Sequence, residues 1–252
     1  CTVTDTQTRA ASCSFPVTVN PALRLNATAI LAFGDSITEG TTPTTLSGMT
    51  LTGTGSAASS MSNGGKITAG TLTESGFTTV KNDGTISVSG ASDLTGTGAG
   101  STLTMGLGSK LTGDTVSASN FETIGNSGTI KGVNGVKLTG TGSAGSKLTN
   151  SANGLITGSS FKESQFTTVH NAGKIIVSGA ATLTGTGAGS TLTTGADSKL
   201  AGNTVTVSNF EMVRNGGTIN GKTGVTLTGT GAASDLTNSG TIKSGGAVKV
   251  SN

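Results

Sequence analysis

The string LTGTG begins at Leu51, Leu94, Leu138, Leu183 and Leu227, at spacings of 43, 44, 45 and 44 residues. A second string, F-x-x-[V/I]-x-N-x-G-x-I, begins at Phe77, Phe121, Phe166 and Phe210, at spacings of 44, 45 and 44. A chain that repeats itself this closely builds one supersecondary unit many times, and each copy buries its apolar face on the next. The unit divides again. Asn63, Asn82, Met105, Asn126, Asn150, Asn171, Thr194, Asn215 and Asn238 occupy equivalent places, 19 to 24 residues apart, with long and short steps alternating. The mean step is about 22 residues, which suits one turn of a parallel β-helix.

The expected fold is therefore all-β: a single-stranded parallel β-helix of about nine rungs, each of ~22 residues, preceded by a short non-repeat segment. Strands in register stack at ~4.8 Å, so nine rungs make a rod of roughly 40 Å. Composition agrees. There are 42 Gly and 7 Phe, with no Trp or Tyr, too few large rings for a broad globular core. Only 11% of residues are charged, with a net charge of +3, unlike a disordered polyelectrolyte. An ordinary β-sandwich does not repeat its strands so regularly.

The repeats predict inward columns of Val80, Ile124, Val169 and Val213, and of Ile86, Ile130, Ile175 and Ile219. Phe77, Phe121, Phe166 and Phe210 should lie on every second rung, with smaller residues between. Asn82, Asn126, Asn171 and Asn215 should form an amide ladder of the kind seen in stacked strands. Two residues after the Asn of six rungs stand Gly65, Gly84, Gly128, Gly173, Gly217 and Gly240, where positive φ is expected.

Both cysteines and all three prolines precede residue 44, which divides the chain into an N-terminal segment, 1–43, and a repeat domain, 44–252. No apolar run approaches the ~20 residues of a membrane-spanning helix. Basic residues form no run and there are no stacking aromatics, so nucleic acid is not an expected partner.

The rungs FETIGNSGTI (121–130), FTTVHNAGKI (166–175) and LTNSGTI (236–242) resemble those of bacterial autotransporter passengers and filamentous-haemagglutinin-type adhesins, over roughly residues 45–252. That resemblance implies a right-handed β-helix, extracellular or at the bacterial cell surface. It implies a structural or adhesive role, with glycans or host or abiotic surfaces as partners. Unpaired strands at the rod's ends would favour end-to-end self-association.

The stretch CTVTDTQTRAASCSFPVTV (1–19) resembles the closing hairpin of hyalin-repeat, immunoglobulin-like domains. On that resemblance Cys1 and Cys13 form a disulfide across the hairpin, which fits an oxidising compartment. A leading Cys is also compatible with a processed lipoprotein. Next, ILAFGDSITEG (30–40) resembles the first block of the SGNH, or GDSL, hydrolases, in which Ser36 would be the nucleophile at the end of a strand over 29–33.

A serine nucleophile needs a base and an oxyanion site. The only histidine, His170, has Thr167 rather than Asp three residues before it. It replaces Lys81, Gly125 and Arg214 at one rung position, where a solvent-facing side chain is expected. The later SGNH blocks are missing, so no catalysis is expected; an SGNH-type esterase using Ser36 is the alternative.

Glycan-cleaving β-helices need clustered acids. Glu122 and Glu211 share a column but stand four rungs, roughly 19 Å, apart. The remaining acids, Glu74 and Glu163 among them, read as isolated solvated charges. No metal site or cofactor is expected, because two Cys without His favour a disulfide over zinc. The pairs Thr52/Thr54, Thr95/Thr97, Thr139/Thr141, Thr184/Thr186 and Thr228/Thr230 make a glycan-binding or ice-binding face a further alternative. Thr204 and Thr206 would extend that array, and Phe161, Lys162 and Glu163 are expected to interrupt it.

Overall fold

A computed structural model describes residues 48–57 and 59–252. Cys1, Cys13, the hairpin, Ser36 and the boundary at residue 44 lie outside them. Between Met49 and Ser251 the chain forms strands alone, with no helix among the described residues. Every strand pair is parallel, as in Val80 beside Leu103 and Leu103 beside Ile124. The result is a β-solenoid of about nine turns with three faces.

The first face carries the ladder asparagines. Its strands include Ser60–Asn63, Thr79–Asn82 and Lys147–Asn150. The second face follows, with strands such as Lys66–Ala69, Thr85–Val88 and Lys174–Val177. The third face carries Leu72–Phe77, Phe161–Phe166 and their equivalents. At some rungs neighbouring segments run together, as in Ala91–Met105 and Lys199–Asn215.

Alternation puts every second residue inside. Val80, Ile124, Val169 and Val213 are buried in one column, interleaved with Leu103, Leu148 and Leu192. Ile86, Ile130, Ile175 and Ile219 are buried in the next, interleaved with Leu111, Ile156 and Leu200. A fully buried aliphatic side chain contributes about 1.5–3 kcal/mol. Stacking like on like gives every rung this benefit without a thick core.

Phenylalanine follows a two-rung rhythm. Phe121, Phe166 and Phe210 are buried and Phe77 is partly buried. Between them stand the first glycines of LTGTG: Phe121 pairs with Gly140, Phe166 with Gly185 and Phe210 with Gly229. A Cβ on Gly96 would come within 2.6 Å of the Phe121 ring, and one on Gly185 within 2.7 Å of the Phe210 ring. The glycine is thus the space each ring occupies. Just before each Phe, a residue in the left-handed region turns the chain: Gly76, Asn120, Gln165 or Asn209, with φ between 58° and 74°.

The expected amide ladder is present in pieces. Asn63 Nδ2 donates to Asn82 Oδ1 at 2.7 Å. Asn126 donates to Asn150 and Asn150 to Asn171, both at 2.8 Å. Asn215 donates to Asn238 at 2.7 Å, and the Thr194 hydroxyl donates to Asn215 Oδ1. Met105 separates the first two pieces; it keeps the register while offering only a thioether to Asn82 at 3.8 Å. Asn150→Ala should cost about 2–4 kcal/mol, because it orphans a buried donor on Asn126 and a buried acceptor on Asn171. Asn238→Ala, in the exposed last rung, should cost under ~1 kcal/mol. Denaturant midpoints of the two variants check this.

Two expectations need correction. Gly65, Gly84, Gly128, Gly173, Gly217 and Gly240 do not have positive φ. From Gly84 onward they are needed for close approach instead. A Cβ on Gly84 would sit 2.0 Å from the Gly65 carbonyl oxygen, and one on Gly173 would sit 2.2 Å from that of Ser151. Glu74 and Glu163 are not solvated: both are fully buried. They point inward on the third face, Glu74 between Leu51 and Leu94, Glu163 between Leu138 and Leu183. Strand alternation at those rungs leaves their side chains no outward path.

Candidate functional site

The outward side of the third face carries the most regular polar array. One of its columns runs Thr52, Ser75, Thr95, Ser119, Thr139, Ser164, Thr184, Ser208, Thr228 and Ser251. Threonine and serine alternate at every level without a break. The threonines are those that follow Leu in LTGTG, and the serines, Ser251 apart, stand two places before a Phe. Most of these hydroxyls are half-exposed or exposed. Among the described residues, neighbours in the column approach hydrogen-bond reach only at Thr184 with Ser208, 3.5 Å, and Ser251 with Thr228, 3.4 Å. Thr139 Oγ1 is buried without a partner, and the remaining hydroxyls keep donors and acceptors for solvent or ligand.

The parallel column two residues earlier is mixed: Thr50, Thr73, Asp93, Ser117, Lys137, Lys162, Thr182, Thr206, Thr226 and Lys249. Phe161 and Glu163 do not interrupt the hydroxyl array, contrary to expectation, because both point inward. Lys162 does stand in the mixed column, beside Lys137.

Where this face turns toward the first, an open groove of about 390 Å³ is lined by Gly142, Ser164, Gln165, Thr184, Gly185, Thr186 and Asn209. Its walls are held by repeated bonds. Asn209 Nδ2 donates to the Gly185 carbonyl at 2.9 Å, as Asn120 does to Gly96. The buried hydroxyls of Ser101, Ser146 and Ser190 donate to the carbonyls of Asn120, Gln165 and Asn209 at 3.0–3.2 Å. Glu122 and Glu211 brace the same corner by accepting the amides of Gly100 and Gly189. These acids serve turn geometry, and their four-rung separation leaves them unable to act as a pair.

His170 lies on the outer side of the first face, between Thr149 and Thr193, half-buried. The buried acids are apart too, Glu74 and Glu163 being four rungs distant in one inward column. Burial pushes the Glu74 carboxyl up to about 8, opposed by the Thr95 backbone amide. Burial likewise raises Glu163 well above the usual carboxylate range, opposed by the amides of Thr184 and Phe166. Neither oxygen of Glu74 has a hydrogen-bond partner, and of Glu163 only Oε2 has one, the Thr184 amide at 3.2 Å. Both carboxyls are thus neutral acids within the core, out of reach of a substrate.

Among the described residues no three His, Cys, Asp or Glu side chains gather as metal ligands, and no helix is long and apolar enough to cross a membrane. Comparison with protein-family models, curated proteins and solved structures gives no match to this chain. The unbroken Thr–Ser column is not apparent from the repeats themselves. The T-x-T pairs recur at the 44-residue period alone, and the S-x-F serines that fill the intervening rungs share no motif with them.

Proposed function

We propose that this chain is an extracellular or cell-surface adhesive stalk, whose third face holds neutral glycans through its hydroxyl column. The observation that carries this reading is the uninterrupted Thr–Ser column on a rod stiffened by parallel pairing on three faces. A single hydroxyl bond nets only about 0.5–1.5 kcal/mol in water. Many such levels in one line make a multivalent surface on which weak bonds add through effective concentration. Surface display at a bacterium rests on the resemblance of the rungs to autotransporter passengers and filamentous-haemagglutinin-type adhesins.

The test is retention on insoluble neutral polysaccharides by the protein and by Thr95→Val/Thr184→Val/Thr228→Val. Valine keeps the strand shape and removes the hydroxyl. Retention should fall roughly tenfold or more for the triple variant and little for each single one. Equal retention of all forms would refute the assignment of this face. Hydrolysis of a short-chain ester that is lost in Ser36→Ala would favour the esterase reading instead.

One observation favours a second reading. The hydroxyl column spans every level, as an ice-binding face requires. Asp93, Lys137, Lys162 and Lys249 break the column beside it, which leaves a regular two-column lattice in two stretches, Thr50/Thr52 with Thr73/Ser75, and Thr182/Thr184 through Thr206/Ser208 to Thr226/Thr228. Slowed ice recrystallisation, lost in the triple valine variant, would establish it.

A further inference from the structure

The lysines that look scattered along the sequence gather on the second face. Lys66, Lys110, Lys174 and Lys199 point outward from one column of that face, and Lys131 and Lys243 from the column beside it. Lys174 and Lys199 occupy adjacent rungs, ~4.8 Å apart. The outward positions of this face hold no Asp or Glu between Lys66 and Ser244.

The nearest acids stand at its corners. Asp83 is paired with Lys81 at 2.5 Å, and Asp114 accepts from Asn134 Nδ2 at 2.7 Å. Asp197 is exposed in the turn before Lys199. The Lys81–Asp83 pair is the one ion pair among the described residues, so the ammonium groups of this face face water.

Between the lysines lie hydroxyls and an amide, including Thr112, Thr157 and Asn220, with the half-buried aliphatic side chains of Leu155 and Ile176 and no aromatic ring. Near Lys199 the face sinks. Ala201 and Gly202 form the floor of an open groove of about 390 Å³ whose rim includes Lys199, Lys222, Thr157 and Asn220. A cationic strip with polar side chains and a shallow groove matches an extended chain that carries both acid groups and hydroxyls. Nucleic acid fits less well, because single strands want stacking rings and duplexes want denser cation contacts.

We propose that the second face binds an acidic polysaccharide lying along the rod axis. Its carboxylate or sulfate groups contact the lysine ammonium groups, and one acidic sugar sits in the groove between Lys199 and Lys222. The proposal rests on the reading of the rod as a glycan-adhering module, and assigns it a second ligand class on a separate face.

The test uses the full chain against immobilised polygalacturonate, dextran sulfate and neutral dextran, with single-stranded and duplex DNA as further arms. Lys174→Glu/Lys199→Glu is compared with Lys137→Glu/Lys162→Glu on the third face. The two pairs make the same charge change on adjacent rungs, differing only in face. Unchanged thermal midpoints show that both variants fold.

Binding to at least one acidic polysaccharide should weaken with salt. It should fall roughly tenfold or more in the second-face variant and within about twofold in the third-face variant. The preferred polymer tells carboxylate from sulfate recognition. Equal loss in both variants, no loss in either, no binding to either acidic polymer, or tighter binding to DNA would overturn the proposal. Neutral-glycan retention by the third face is a separate readout, so either face can fail alone.

Discussion

Raising the pH from 4.5 to 8 should destabilise the rod, and replacing Glu74 and Glu163 by leucine should remove most of that loss. In the unfolded chain a glutamate ionises near 4.5; in the fold Glu74 does so only at about 8. Between those values the folded state holds a proton that the unfolded state has released. Stability is therefore fully present below the unfolded value and falls as pH rises through the folded one. Across that window a tenfold fall in proton concentration costs about 1.4 kcal/mol, so the loss on Glu74 alone approaches roughly 4 kcal/mol. Glu163 acts in the same direction, and its place in the middle of the rod means that hydrating it requires opening rungs on both sides.

Glu74→Gln/Glu163→Gln should flatten the pH profile while keeping two buried polar groups. Glu74→Leu/Glu163→Leu should flatten it and also complete an apolar column between Leu51, Leu94, Leu138 and Leu183. At pH 8 the leucine variant should melt roughly 10 °C above the parent, at ~2–4 °C per kcal/mol for a domain of this size. At pH 4 the gain should be a few degrees. Thermal unfolding followed by circular dichroism at both pH values decides it, and a parent profile that does not fall with pH would contradict the buried placement.

Gly140→Ala should be strongly destabilising. Its Cβ would lie 2.3 Å from Ser146 Oγ, 2.4 Å from the Gln165 carbonyl oxygen and 2.7 Å from the Phe166 ring. The serine can rotate, but the carbonyl belongs to the adjacent rung's backbone and the ring fills the core. Overpacking of this kind costs about 3 kcal/mol. Gly125→Ala is the matched control. Nothing lies within 4 Å of its Cβ and its φ is ordinary, so it should be neutral or stabilising by about 0.5–1 kcal/mol. Urea midpoints that fail to separate the two would remove the close packing of Phe on Gly from the account of this fold.

Most of the architecture is legible in the sequence because a solenoid writes its register into its period. Each rung pairs with its own copy, so equating Asn82 with Met105 and Asn126 also equates their strands, and the pairing agrees. The direction of side chains is less legible. Glu163 in FKESQF reads as a surface charge from composition, and only its alternation with Lys162 and Ser164 places it inside. The Gly after each ladder Asn has two physical uses, turning and close approach, and sequence does not separate them. The candidate faces are hidden for a related reason: Lys174 and Lys199 become neighbours, and Lys66 and Lys110 share their column, only when residues many positions apart are laid on successive rungs.

The alternation of phenylalanine with glycine also fixes how such a rod can change its length. Removing one rung would bring two rings to one level boundary, or leave two glycines facing an unfilled gap. Removing or adding two rungs returns ring to glycine, serine to threonine and long rung to short. Length is therefore quantised in pairs of rungs, roughly 9.6 Å per increment by strand spacing. The reach of the rod becomes a matter of copy number: it is lengthened by duplicating a segment of about 44 residues, with no new contact to invent at the seam.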